Sequence, residues 1–175
     1  NLIMDNLIAE GKAKSFIIVM DNGTWSMSGP RRSEGGTWPP KGWADGFTNT
    51  LLKDIIPMID ASYRTLANQK NRAMAGLSMG SMETKSITTN RPEVFSYIGL
   101  FSGALYKPEE VKDKSTVKLI FQSCGSKERP DGVKQSTEEL KKAGINAVSY
   151  VSEGTAHEFH TWRRSLHQFA QLLFK

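Results

Sequence analysis

Ten residues decide the fold: Asn71-Arg72-Ala73-Met74-Ala75, followed by Gly76-Leu77-Ser78-Met79-Gly80. The first five are a short, mostly apolar run that predicts a buried strand, and the stretch after Gly80 to Asn90 predicts a helix. A G-x-S-x-G between strand and helix is the pattern of a nucleophile elbow. The pattern alone recurs by chance, so its setting must carry the argument. The turn is tight enough to hold the serine in a strained backbone conformation, and side chains at the two flanking glycines are expected to collide with strand and helix. Ser78 is then thrust out at the tip of a sheet. The next backbone N–H, that of Met79, points to where an oxyanion would form.

The rest of the chain frames that turn. At 175 residues it is long enough for one domain with a proper core. Hydrophobic residues make up 38% and charged residues 23%, a balance that excludes a disordered chain. No apolar run approaches the roughly 20 residues of a membrane span, so no membrane partner is expected. Cys124 is the only cysteine, which rules out an internal disulfide and a cysteine-based zinc cluster. The net charge is +5, but the basic residues are scattered in pairs such as Arg31-Arg32, Lys141-Lys142 and Arg163-Arg164. Scattered pairs read as solvated surface and not as a nucleic-acid footprint.

Outward from the elbow, apolar and amphipathic segments alternate. The chain opens in what reads as mid-helix, with apolar residues at 3, 4, 7 and 8 and a stop at Gly11. That opening predicts residues upstream of Asn1. Ser15 to Met20 predicts a strand covered on both faces. Residues 21–46 predict a long loop with Trp25, Trp38 and Trp43. Tryptophans there either tie the loop to the body or line a pocket for a flat or sugar-like ligand. Phe47 to Leu66 predicts a helix with Leu51, Leu52, Ile55, Ile56, Ile59 and Tyr63 on one face and a kink at Pro57. Beyond the elbow helix, strands are expected at 94–102, 117–123 and 146–151, and helices at 131–142 and 159–174, with Asp131 as an N-cap. This alternation implies a mostly parallel sheet of five strands with helices on both faces, and active residues at the carboxyl ends of the strands.

A serine hydroxyl needs a base within hydrogen-bond reach. After a nucleophile elbow the partners follow in the order Ser, acid, His. The histidines are His157, His160 and His167, all beyond Ser78. His157 sits in the loop after the last expected strand, where it can reach the sheet tip, whereas His160 and His167 fall on the final helix. The acid should follow the 117–123 strand, which leaves Glu128 and Asp131. Asp131 has a competing use as a helix cap, so Glu128 is preferred. Metal catalysis is not indicated, because His157-Glu158-Phe159-His160 spaces its histidines at i, i+3 and the zinc motif needs i, i+4. No glycine-rich phosphate or dinucleotide loop is evident, so no cofactor is expected.

The blocks MDNLIAEGKAKSFIIVMDNG, DGFTNTLLKDIIPMIDASYR, RAMAGLSMGSMET, VFSYIGLFSGAL, IFQSCGSKE and EGTAHEFHTWRRSLHQF together resemble the esterase-D-like branch of the α/β-hydrolases. Within it they are similar to the feruloyl and acetylxylan esterases of carbohydrate esterase family 1. The resemblance covers nearly the whole chain. It implies an α/β-hydrolase fold and a secreted serine carboxylesterase acting on feruloyl or acetyl esters of plant cell-wall xylan. Ser78 matches the family nucleophile, His157 its histidine after the E-G-x-x-H glycine, and Met79 the donor of one oxyanion N–H. Glu128 falls where the family acid follows C-G-x-x, although that place usually holds Asp. Trp25 and Trp43 become candidate substrate-binding residues. The resemblance also implies about eight strands and a His-Gly loop upstream of Asn1 that supplies a second oxyanion donor. The expectation is therefore a single esterase domain, residues 1–175, lacking its N-terminal portion: either a separate piece supplies it, the preferred reading, or the chain is a fragment with poor activity. Hydrolysis of a thioester such as S-formylglutathione, acyl transfer between sugars, and a non-catalytic carbohydrate-binding module are the alternatives.

Overall fold

The computed structural model describes residues 2–21 and 42–175. In chain order its elements are α1 (Leu2–Ala9), α2 (Asp45–Thr50), a π-helical stretch (Leu51–Ile55), α3 (Ile56–Ser62), β1 (Ala73–Leu77), α4 (Met79–Asn90), β2 (Tyr97–Phe101), β3 (Leu119–Gly125), α5 (Pro130–Lys142), β4 (Ala147–Ser152) and α6 (Phe159–Ala170). They fall into two units, one running to Phe16 and resuming at Asn68–Lys175, the other Ile17–Ala67.

The first unit holds a four-stranded parallel sheet in the order β1-β2-β3-β4. Register pairs Leu77 with Phe101, Phe101 with Ser123, and Ser123 with Tyr150, so the strands end together at one rim. Every residue of β2 and β3 is buried, as in strands covered on both faces. Side chains alternate between two cores. Ile98, Leu100 and Ile120 meet Leu140 of α5 on one face, where Tyr106 also hydrogen-bonds Thr88 of α4 at 2.5 Å. Tyr97, Phe101, Leu119 and Phe121 meet Phe169 of α6 and Leu173 on the other. Helices therefore cover both faces, as the alternation predicts.

Gly99 of β2 lies opposite Ala75 of β1, and a Cβ at Gly99 would press on Phe169 at 3.0 Å. Small residues there let the α6 ring settle onto the strands. Met4 and Leu7 of α1 bury against Ala170, and Gly11 ends that helix at φ +67°. There Lys12 N–H returns to the Leu7 carbonyl at 2.8 Å. Gln122 is fully buried in β3. Its Oε1 accepts from Tyr106 N–H at 2.8 Å, and its Nε2 donates to Ser136 Oγ at 2.9 Å and Thr137 Oγ1 at 3.1 Å.

Three expectations are corrected. The run 15–20 is not a strand: residues 14–21 carry no regular structure, and Ile17, Ile18, Val19 and Met20 are exposed, Met20 by 89%. Apolar composition suits a buried strand, but a strand exists only through ladder partners, and among the described residues this run has none. The described sheet accordingly has four strands and not five. Asp131 does not cap α5. Pro130 takes the first helical position and Arg129 the N-cap with no side-chain cap bond, which leaves Asp131 exposed in the first turn. Third, the helix expected over 47–66 ends at Ser62. Tyr63 is extended and exposed, and Thr65 Oγ1 turns back to Asp60 Oδ1 at 2.7 Å.

In the second unit Pro57 does disturb its helix. Proline has no N–H for the Lys53 carbonyl, and the preceding turn widens into the π-helical stretch, where Ile56 N–H reaches the Leu51 carbonyl. Phe47 and Ala44 are buried and Trp43 is half-buried. Trp25 and Trp38 lie outside the described residues. Among the described residues no helix is long and apolar enough to cross a membrane.

Candidate active site

Ser78 joins β1 directly to α4 at φ 53°, ψ −117°. That conformation costs a non-glycine residue on the order of 1–3 kcal/mol, so the surroundings must hold it. They do so through the Ser78 N–H, which donates to the Phe101 carbonyl at 2.8 Å, and the Ser78 carbonyl, which accepts from Ser81 Oγ at 2.7 Å. Ser81 Oγ in turn accepts Ala104 N–H at 2.8 Å, tying the turn to the loop after β2. A Cβ on Gly76 would lie 2.8 Å from Ser81 N and closer still to the Gly80 carbonyl, so glycine is obligatory there. Gly80 differs from expectation: a Cβ there meets nothing within 4 Å among the described residues. Its neighbour across the turn is the bare Gly76, so the crowding falls on one glycine only. Met79 stands at the first position of α4, where its N–H has no acceptor within the helix.

The other groups arrive from the same rim. Glu128 follows β3 and His157 follows β4. His157 Nε2 is 2.9 Å from Ser78 Oγ, and His157 Nδ1 is 2.9 Å from Glu128 Oε1. The remaining carboxylate oxygen, Oε2, accepts Gly125 N–H at 2.6 Å and Ser102 Oγ–H at 2.8 Å. Burial pushes the Glu128 carboxyl up, but Gly125 N–H, His157 and the Ser102 hydroxyl outweigh it and hold it below the ordinary value. An ionised carboxylate only accepts, so the proton on His157 sits on Nδ1 and Nε2 is free to accept from the Ser78 hydroxyl. The His157 side chain is 49% exposed and that of Glu128 15%, so the histidine faces solvent while the acid is held inside.

The two loops interlock. Ser126 N–H donates to the Ser152 carbonyl at 2.9 Å, Lys127 N–H to the Thr155 carbonyl at 2.9 Å, and Gly154 N–H to Ser126 Oγ at 2.9 Å. Gly125 permits this approach, because a Cβ there would run into the Thr155 carbonyl. Trp162 presents its ring edgewise to His157, with centroids 5.2 Å apart and planes at 87°.

Ser78, His157, Glu128 and Met79 are therefore brought together. Asp131, His160 and His167 are not: they lie along α5 and α6, and His167 Nδ1 contacts Gln171 Nε2 at 3.3 Å. Trp43 belongs to the unit Ile17–Ala67. Sequence reasoning missed Ser102, Ser81 and Trp162. The Ser102-Gly103 pair at a strand end was the one visible sign of the first. Among the described residues no three His, Cys, Asp or Glu side chains converge to hold a metal ion.

Comparison with known proteins places this geometry in a family. A family model described as "Putative esterase" matches residues 2–172. An endo-1,4-beta-xylanase/feruloyl esterase from Xylanibacter ruminicola is 55% identical over 174 residues, which are 99% of this chain and 23% of that protein. The chain thus spans about a quarter of that relative's length. Among solved structures, a CE1 ferulic acid esterase from the anaerobic fungus Anaeromyces mucronatus superposes with a TM-score of 0.72 at 24% identity, over 97% of this chain and 68% of that one. The feruloyl esterase module from Clostridium thermocellum gives a TM-score of 0.63 at 17% identity, over 75% of this chain and 59% of that one. At such identities the structures speak for the fold, which is of the α/β-hydrolase type. Matched by the family model along almost its whole length, with a serine elbow at the rim of a parallel sheet, the chain belongs to the esterase family.

Proposed function

We propose that the chain is the catalytic part of a serine carboxylesterase that removes feruloyl groups from cell-wall xylan. The observation that carries this is the unbroken contact from Ser78 Oγ through His157 to Glu128, each link 2.9 Å. Ser78 Oγ attacks the ester carbonyl while His157 Nε2 takes its proton. Glu128 holds Nδ1–H and stabilises the imidazolium, and Met79 N–H donates to the oxyanion. Collapse expels the sugar alcohol, which receives the proton from His157 and leaves an acyl-Ser78 ester. A water that gives its proton to His157 then attacks that ester, and His157 returns the proton to Ser78 Oγ as the Oγ–acyl bond breaks and the acid departs. The half-exposed histidine suits a bulky polymer-borne ester. The Xylanibacter relative, named for both xylanase and feruloyl esterase activities, supports the choice of acyl group and polymer. An enzyme working on wall polymer acts outside the cell, so the reading implies export.

The test pairs labelling with turnover. A serine-directed fluorophosphonate should modify Ser78, and S78A should lose labelling and at least about 10³-fold in kcat on methyl ferulate. Acetylated xylan and a thioester are the competing substrates; faster turnover of either reassigns the acyl group. Labelling elsewhere, or an active S78A, refutes the mechanism. Tight xylan-oligomer binding without hydrolysis reassigns the chain as a binding module.

A further inference from the structure

We propose that Ser102 is a positioning residue: its hydroxyl locks Glu128 so that a glutamate can serve as the acid partner of His157. The proposal rests on the triad reading above and adds a group to it. A glutamate side chain has one more rotatable bond than an aspartate, so a carboxylate that must orient an imidazole needs fixing. Here the labour is divided between its two oxygens. Among the described residues Oε1 faces His157 Nδ1 alone, and Oε2 takes two donors, Gly125 N–H at 2.6 Å and Ser102 Oγ–H at 2.8 Å. A carboxylate held by two donors on one oxygen has little freedom to swing.

The backbone at Ser102 points the same way. Ser78, Ser102 and Phe174 are the non-glycine residues with positive φ among those described, and Ser102 stands at 51° against 53° for Ser78. Leu77 and Phe101 are register partners, so the two serines occupy matching positions one residue past neighbouring strands. A positive φ at a serine thus occurs twice on one rim: after β1 the serine is the nucleophile, and after β2 it is a donor to the acid. Strain of this kind persists only where the surroundings impose it. Ser102 is 7% exposed, and its N–H is tied to the Ser123 carbonyl at 2.7 Å. Its hydroxyl is thus a buried group held on the next strand, 26 residues from the carboxylate it meets.

The test is a double-mutant cycle on methyl ferulate with wild type, S102A, E128A and S102A/E128A, plus S102G, all in the intact protein. S102A should lower kcat about tenfold with KM unchanged, the scale of one charge-assisted hydrogen bond. The Ser102 hydroxyl is one of the groups that hold the Glu128 carboxyl below its ordinary value, so losing it raises that carboxyl. The acidic limb of the kcat/KM profile should therefore move to higher pH, a change that loss of stability alone would not produce. In the E128A background S102A should add nothing further. S102G also lacks the hydroxyl but relieves the positive φ, so it should lose the same activity while melting no lower than wild type. Wild-type kcat and pH profile in S102A, an equal loss in both backgrounds, or recovered activity in S102G would each overturn the proposal and leave the triad standing. Unimpaired kcat in E128A would instead remove the acid assignment, and this proposal with it.

Discussion

Replacing Gly76 by alanine attacks the elbow without touching a reacting group. The added Cβ would lie 2.8 Å from Ser81 N and nearer still to the Gly80 carbonyl carbon and oxygen, where ordinary contact begins at 3.4 Å. All three atoms are backbone of the first turn of α4, so no rotamer change relieves the clash. The turn must open by about 1 Å, because close-packed interiors have no slack to absorb it. Overpacking of that kind costs about 1–3 kcal/mol of stability. The catalytic loss should be larger. The 2.9 Å link from Ser78 Oγ to His157 Nε2 cannot survive a shift of that size, and a 1 Å misplacement costs about 10²-fold in rate. G132A is the matched control. Gly132 is on α5, and a Cβ there would sit 3.6 Å from Leu105 Cδ1, an ordinary contact, while alanine in a helix gains about 0.5–1 kcal/mol over glycine. We expect G76A to retain its circular dichroism, melt lower, and turn over methyl ferulate at about 1% of wild type or less. G132A should melt slightly higher with full activity. A G76A protein within threefold of wild-type kcat would show that the elbow is not the crowded turn described here.

Two further outcomes follow from the same contacts. Glu128 is held below the ordinary glutamate value of 4.5 despite burial, through Gly125 N–H, His157 and Ser102. A depressed carboxyl contributes stability that is present above its unfolded pKa and disappears as pH falls through the lower folded one. E128Q should therefore melt below wild type by a steady margin at neutral pH, and the margin should close below about pH 4.5; a margin unchanged down to pH 3 would contradict the assignment. Gln122 satisfies buried groups of the loop after β2 and of α5, so Q122A should strand Tyr106 N–H and open a cavity, costing about 3 kcal/mol in urea unfolding while leaving KM unaffected.

The parallel sheet, the elbow at Ser78 and the helix to Asn90 could be read from the chain because each depends on short-range pattern. Continuous apolar runs, glycines at fixed offsets and amphipathic spacing act over a few residues. The histidine was legible for a similar reason, since chain order and its place after the last strand separate His157 from two helix-borne competitors. Where patterns were local but their use was not, the reading failed. The 15–20 run has strand composition and, among the described residues, no ladder partner. Asp131 has capping chemistry, but Pro130 before it sets the helix start.

What the sequence by itself determined is the kind of chemistry: a serine at a strained turn, a histidine and a carboxylate following in order, on an alternating α/β chain. Only the tertiary structure decided which carboxylate reaches the imidazole and what holds it there. Ser102 meets Glu128 across 26 residues, and His157 meets Ser78 across 79. No spacing rule spans such intervals. They are closed because four parallel strands end at one rim, which brings residues distant in the chain within hydrogen-bonding distance of each other.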